Sequence, residues 1–228
     1  ESPKNSLKKL TFLPFMGTFF SSWVKKNHDW DVDYDARLTI YGKWISSLNA
    51  TKISLQNTLN FILDKGWTKY YNENYSVGGL MDEFVYMREV DTQFRFASYM
   101  SFVSEFESTT LILLRYLKEN GEKCAQKYHQ FVLDNLKFRS HKGFLLIIRL
   151  IRNSIHNNGV HIPDKKEHNH LSLKFNAIKF DFVKNERINI TWTDCINIYS
   201  ELIELSSKIN EHELIIKYKT IEDVLFSA

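Results

Sequence analysis

Cysteine, proline and glycine are all scarce in this chain of 228 residues, which has 2 Cys, 3 Pro and 8 Gly. Cys124 and Cys195 stand alone in sequence. With no C-x-x-C pair, zinc-finger and thioredoxin-type folds are excluded. Sparse thiols suit a reducing compartment, so the expected location is cytoplasmic. So little proline and glycine argues against a loop-rich or disordered chain and for long regular elements. The glycines form no Walker loop, dinucleotide fingerprint or G-x-S-x-G elbow, which leaves kinase, oxidoreductase and serine-hydrolase functions without support. His161, His168 and His170 lie near Asp164 and Glu167 but lack regular ligand spacing, so neither a metal nor a cofactor is expected. The charge is also nearly balanced, at +3. That suits phosphate contact at one site rather than a basic sheath around nucleic acid.

Apolar residues, by contrast, make up 43% of the chain and aromatics 14%, enough for a sizeable core. The run from Leu10 to Val24 follows Lys8 and Lys9 and resembles the apolar part of a signal peptide. It falls short of the ~20 residues needed to span a bilayer. Pro14 and Gly17 interrupt it, and no small-residue cleavage site follows. It reads as an aromatic segment that packs on the domain, with no membrane association. The expected organisation is an N-terminal aromatic-rich extension over 1–33 and one helical domain over 34–228.

From Tyr34, apolar residues recur at helical spacing through Leu38, Tyr41, Leu48, Leu55, Leu59 and Ile62, with Gly66 as the stop. Residues 67–81 read as a connection. One long helix or two consecutive ones follow from Asp82 to Lys118, ended by Asn120-Gly121. A shorter helix is expected over Glu122 to Leu136. After Gly159 the period becomes two: Leu171, Leu173 and Phe175 alternate, then Ile178, Phe180 and Phe182, with a slip at Asn176-Ala177 that suggests a bulge or break. Lys184-Asn185-Glu186 is the expected turn, and Ile188, Ile190 and Trp192 continue the alternation, so a β-hairpin is expected at about 171–191. Thr191 or Thr193 can N-cap a final long helix. The expected fold is mainly α: a helical bundle with a small hairpin before its last long helix.

The most informative stretch is Gly143 to Gly159, GFLLIIRLIRNSIHNNG. At ~100° per residue, Arg149, Arg152 and His156 form one stripe with Asn153 beside it. Phe144, Ile148, Ile151 and Ile155 form a separate apolar stripe, and Leu146 and Leu150 cover much of the rest. The helix is therefore expected to be buried on most sides, with one cationic notch. An arginine in such a setting costs free energy unless its guanidinium finds a partner. A carboxylate, a second subunit or a phosphate must face the notch. An internal ion-pair network with acids such as Glu105 or Glu107 is the competing explanation. Asn157-Asn158-Gly159 supplies left-handed C-cap chemistry.

Arg152-Asn153-Ser154-Ile155-His156, set late in an all-helical bundle, resembles the HEPN superfamily (higher eukaryotes and prokaryotes nucleotide-binding). Its members carry an Arg, usually a polar residue straight after it, and a His with four to six residues between the two. Arg152 and Asn153 match the Arg-polar pair, Arg149 matches the wider Arg-to-His spacing, and His156 matches either way. The resemblance covers roughly residues 34–210. It implies a metal-independent endoribonuclease of a bacterial defence or toxin-type system, with RNA as substrate. It also implies a homodimer that brings two such sets into one cleft, and an antitoxin or neighbouring domain as partner. Arg152, Asn153 and His156 are then the catalytic candidates, with Arg149, Asn157 and His161 on the substrate. Other members have lost catalysis and serve as RNA-binding or scaffolding modules.

Overall fold

The computed structural model describes Trp30 and residues 34–74 and 83–223. The Leu10–Val24 segment lies outside the described residues. The elements run α1 (Ala36–Leu63), α2 (Gly66–Asn74), α3 (Glu83–Glu119), α4 (Tyr128–Gln130), α5 (Lys142–His156), β1 (His170–Phe175), β2 (Ile178–Val183), α6 (Trp192–Asn210) and α7 (Glu213–Ile216). The fold is mainly helical, with a two-stranded antiparallel hairpin before the last long helix, as expected. Among the described residues, no helix is long and apolar enough to cross a membrane.

The core is built where α1, α3 and α6 meet. Trp44, Phe102 and Tyr199, one from each helix, stack face to face at centroid distances of 4.4 and 4.1 Å. The Trp44 indole N–H donates to the Phe102 carbonyl (3.0 Å), and the Tyr199 hydroxyl pairs with Ser98 (2.9 Å), so these polar atoms are satisfied inside an apolar stack. α5 is tied to α3 by Tyr99, whose hydroxyl donates to the Ile148 carbonyl (2.9 Å). The Asn158-Gly159 prediction holds: both residues are left-handed (φ 55° and 82°), and the Gly159 N–H closes the helix end on the Ser154 carbonyl (2.8 Å). A Cβ at Gly159 would lie 3.3 Å from the Phe96 ring, so the close approach to α3 also requires glycine.

Three local expectations need correction. Residues 67–81 were expected as a connection, but Gly66–Asn74 is helical. Gly66 does mark a break, because Lys65 just before it turns left-handed (φ 55°). The long segment from residue 83 is one continuous helix, the first of its two expected forms. The helix expected over Glu122–Leu136 is mostly not one. Only Tyr128–Gln130 is α-helical, and it runs into a π-helical turn at Phe131–Asn135. The Asn135 side chain explains this: it accepts from the Ala125 N–H (2.9 Å) and donates to the Lys123 carbonyl (3.1 Å), holding 122–127 out of helical form. Finally, the slip at Asn176-Ala177 is the hairpin turn itself. Asn176 is left-handed (φ 50°) and Phe175 pairs with Ile178. The sheet therefore ends at Val183, and residues 188–190 are not part of it.

Thr191 caps α6 through a capping box with Asp194. At the other end of the fold, Asp35 caps α1 and pairs with Arg37, both fully buried. Arg37 also donates to the carbonyls of Ile215, Tyr218 and Lys219, and its guanidinium lies 3.5 Å from the Trp30 ring centroid. The chain after α7 is thereby clamped onto α1. Replacing Asp35 with Ala would strand the buried guanidinium. We expect a stability loss of about 3–5 kcal/mol in urea unfolding. A loss below about 1 kcal/mol would contradict the clamp.

Candidate functional site

The cationic notch exists, and it separates the two arginines. α5 buries Phe144, Leu145, Ile147, Ile148, Leu150 and Ile151, which leaves the Arg149–Arg152–His156 stripe as its polar face. Facing Arg152 is Glu107 of α3, a nearly buried carboxylate. Its Oε2 takes a charge-assisted hydrogen bond from the Arg152 guanidinium, and its Oε1 accepts from the Tyr128 hydroxyl of α4 (2.8 Å). Of the two acids named from sequence, Glu107 thus fills the role of partner, whereas Glu105 lies near Lys43 (3.8 Å). The Arg152 side chain keeps 35% of its surface exposed, against 11% for Glu107. The pair is formed, but the guanidinium is not sealed from solvent.

Arg149 is different. Its Nε is buried without a hydrogen-bond partner, while its terminal nitrogens reach solvent and meet no acceptor among the described residues. An unmet buried donor of this kind costs roughly 1–3 kcal/mol. Arg149 therefore supplies an open donor set at the rim of the notch. His156, the last residue of α5, is exposed, and its ring has no hydrogen bond or ion pair among the described residues. It lies about 6 Å along the axis from Arg152 and about 10 Å from Arg149, at 1.5 Å rise per residue.

The remaining predicted residues divide. Asn153 is half-buried beside the stripe, and its carbonyl receives the Asn157 backbone N–H and side-chain amide (3.2 and 2.9 Å). Asn157 is thus engaged in closing the helix. His161 is only 1% exposed, with its ring against Phe182 and its backbone bonded to Glu186 and Asn185. It anchors the strand-loop junction and presents no surface to a substrate, which corrects its assignment to substrate binding. Among the described residues, no three His, Cys, Asp or Glu side chains gather as a metal site would require.

Two contributors were missed by sequence reasoning. Tyr128 and His129 come from α4, in the segment read as regular helix, and no periodicity links them to α5. Their electrostatics show where they sit. Burial, then the charge and hydrogen bond of Glu107, hold the Tyr128 phenol well above its ordinary range. Burial, then the cations Arg149 and Lys127, hold the His129 imidazole below its ordinary value, against the opposing pull of Asp134 and Glu107. Tyr128 thus stands at the notch as a protonated phenol bonded to Glu107, and His129 follows it in α4.

No family model matches the chain, and neither a curated protein nor a solved structure matches it.

The His129 shift gives a direct check of this geometry. A folded value below the unfolded one means that the unfolded chain binds more protons as pH falls through about 6.5. His129 thus costs stability on acidification and is neutral in this respect above that range. Replacing Arg149 with Ala removes one of the repelling cations. The His129 titration followed by NMR should then move upward; an unmoved curve would place Arg149 away from His129.

Proposed function

We propose that this protein is a HEPN-like, metal-independent endoribonuclease that works as a homodimer. One observation carries the reading: a guanidinium with no acceptor among the described residues, a second guanidinium held in place but still one-third exposed, and an exposed imidazole all lie on one stripe of a largely buried helix. Arg provides a planar fork of donors matched to phosphate oxygens. RNA supplies its own nucleophile in the 2′-OH. His156 takes the 2′-OH proton as that oxygen bonds to phosphorus, and the bond to the 5′-oxygen breaks. The departing oxygen receives a proton from the protonated His156 of a second copy. The products are a 2′,3′-cyclic phosphate and a free 5′-hydroxyl. Arg152, oriented by Glu107, holds the phosphate under attack; Arg149, further along the axis, takes a neighbouring one. Asn153, beside the stripe, offers its amide to the same phosphate. On the family resemblance, the setting is a cytoplasmic defence or toxin system with an antitoxin or neighbouring domain as protein partner.

A second reading is a non-catalytic HEPN-like module that binds RNA. It is favoured by the Arg152–Glu107 pair, which already counters the charge of the arginine next to Asn153.

Labelled RNA incubated with the purified protein in EDTA separates the two. Cutting with a 2′,3′-cyclic phosphate terminus is the expected result. His156→Ala should slow it by about 10²-fold or more, with an unchanged melting curve because the ring is exposed. Wild-type cutting by that variant would discard the assignment. Salt-dependent RNA retention without any cutting would favour the binding module.

A further inference from the structure

The C-terminal end of α5 also lines a cleft of about 920 Å³ that the reaction above leaves unused. This is the size of a small-ligand site, roughly 300–1,000 Å³. Ile155 and Gly159 form one side of the cleft, on the helix face next to the one that carries His156. Phe96 and Met100 of α3 form the apolar floor, and Arg88, Asn158, Arg187 and Asn189 stand around it. The Phe96 ring lies close to Gly159, is half-buried and lines the cleft.

The cations here differ in availability. Arg95 is committed: it donates to the Ile190 carbonyl (2.6 Å) and to Thr92 (3.0 Å) and pairs with Asp91 (3.2 Å). It holds the 187–190 segment against α3 and so shapes the wall. Arg88 pairs with Glu89 at 3.3 Å on the surface, its one side-chain hydrogen bond among the described residues. The Arg187 side chain is exposed and has no hydrogen bond or ion pair among the described residues. The cleft therefore combines an aromatic side chain, two amide residues and a guanidinium without a hydrogen bond or ion pair among the described residues. Stacking on an aromatic side chain is worth about 1–3 kcal/mol per base and tolerates any base. The amides of Asn158 and Asn189 offer donors and acceptors to a base edge. Arg187 and Arg88 suit a phosphate on either side.

We infer that this cleft seats one nucleotide of a single-stranded RNA, with its base against Phe96 and its phosphate on Arg187, next to the bond presented to His156. This rests on the phosphodiester reading of the α5 stripe. It adds that the substrate is unpaired where it is gripped, because a base in a duplex cannot leave its stack to reach Phe96 without a cost of a few kcal/mol.

The test uses a short fluorescein-labelled oligouridylate with 2′-O-methyl groups, which lacks the nucleophile and cannot be cut by the proposed route. Arg187→Glu should weaken its binding about tenfold. Arg187→Ala should lower the slope of log affinity against log salt by about 0.7, the value of one single-strand phosphate contact. Lys219→Glu makes the same charge change in a different groove, beside Arg115 and Tyr116, and should leave affinity unchanged. A loss in Arg187→Glu no greater than in Lys219→Glu overturns the proposal. Independently of any variant, a 4-thiouridine oligonucleotide should photo-crosslink to peptides containing Phe96 or Asn189; adducts confined to other parts of the chain overturn it as well. The two proposals fail separately. Tight, Arg187-dependent binding without cutting of natural RNA would keep the cleft and lose the nuclease. Cutting with an indifferent Arg187 would do the reverse.

Discussion

The geometry of the notch hangs on one carboxylate. Glu107 is nearly buried, where an unpaired charge is costly, and it is satisfied by one donor on each oxygen: Arg152 of α5 and Tyr128 of α4. Through that residue, α3, α4 and α5 are held in one arrangement. The pair also fixes the direction of Arg152 while leaving part of its surface exposed. Of the two arginines only Arg152 is served by Glu107, and among the described residues Arg149 has no acceptor. The notch thus neutralises one arginine internally and turns the charge of the other outward.

The same chain shows what a purely structural arginine looks like. Arg37 is fully buried, bonds both oxygens of Asp35, reaches three main-chain carbonyls and faces Trp30 at 3.5 Å. Every direction around its guanidinium is occupied, and its role is to clamp the chain after α7. Arg95 follows the same pattern on a smaller scale, with a carbonyl, a hydroxyl and a carboxylate as partners. Arg149 and Arg187 have no such surroundings. Measured against Arg37, they are charges in search of an anion, and both lie close to the C-terminal half of α5. The contrast favours a phosphate-bearing ligand over an internal network as the reason for placing arginines there.

Much of this arrangement was legible in the sequence. The stripe of Arg149, Arg152 and His156 follows from helical period alone, because α5 is regular and strongly two-faced. The caps at Asn158-Gly159 and Thr191-Asp194 follow from residue chemistry that acts within a few positions. Failures occurred where distant or side-chain interactions override period. The α4 segment carries helical spacing, yet Asn135 ties down the backbone ten residues earlier, and a π-helical turn results. Tyr128 and His129 therefore escaped notice, since only the tertiary fold brings them to α5. His161 was misjudged for a related reason. It follows a polar turn and reads as exposed, but two backbone bonds to the loop after β2 draw it inside. Phe96 and Arg187 are far apart in sequence and share no motif, so their cleft exists only in three dimensions.

The central claim is that the α5 stripe grips a phosphodiester with guanidiniums that the fold leaves accessible. The most direct test is to follow the arginine side-chain N–H signals by NMR while titrating in the uncleavable 2′-O-methyl oligouridylate. The account predicts that the Arg149 and Arg152 signals shift together and saturate, while those of the clamped Arg37 stay in place. Signals of Arg149 and Arg152 that remain still while the oligonucleotide binds would contradict it.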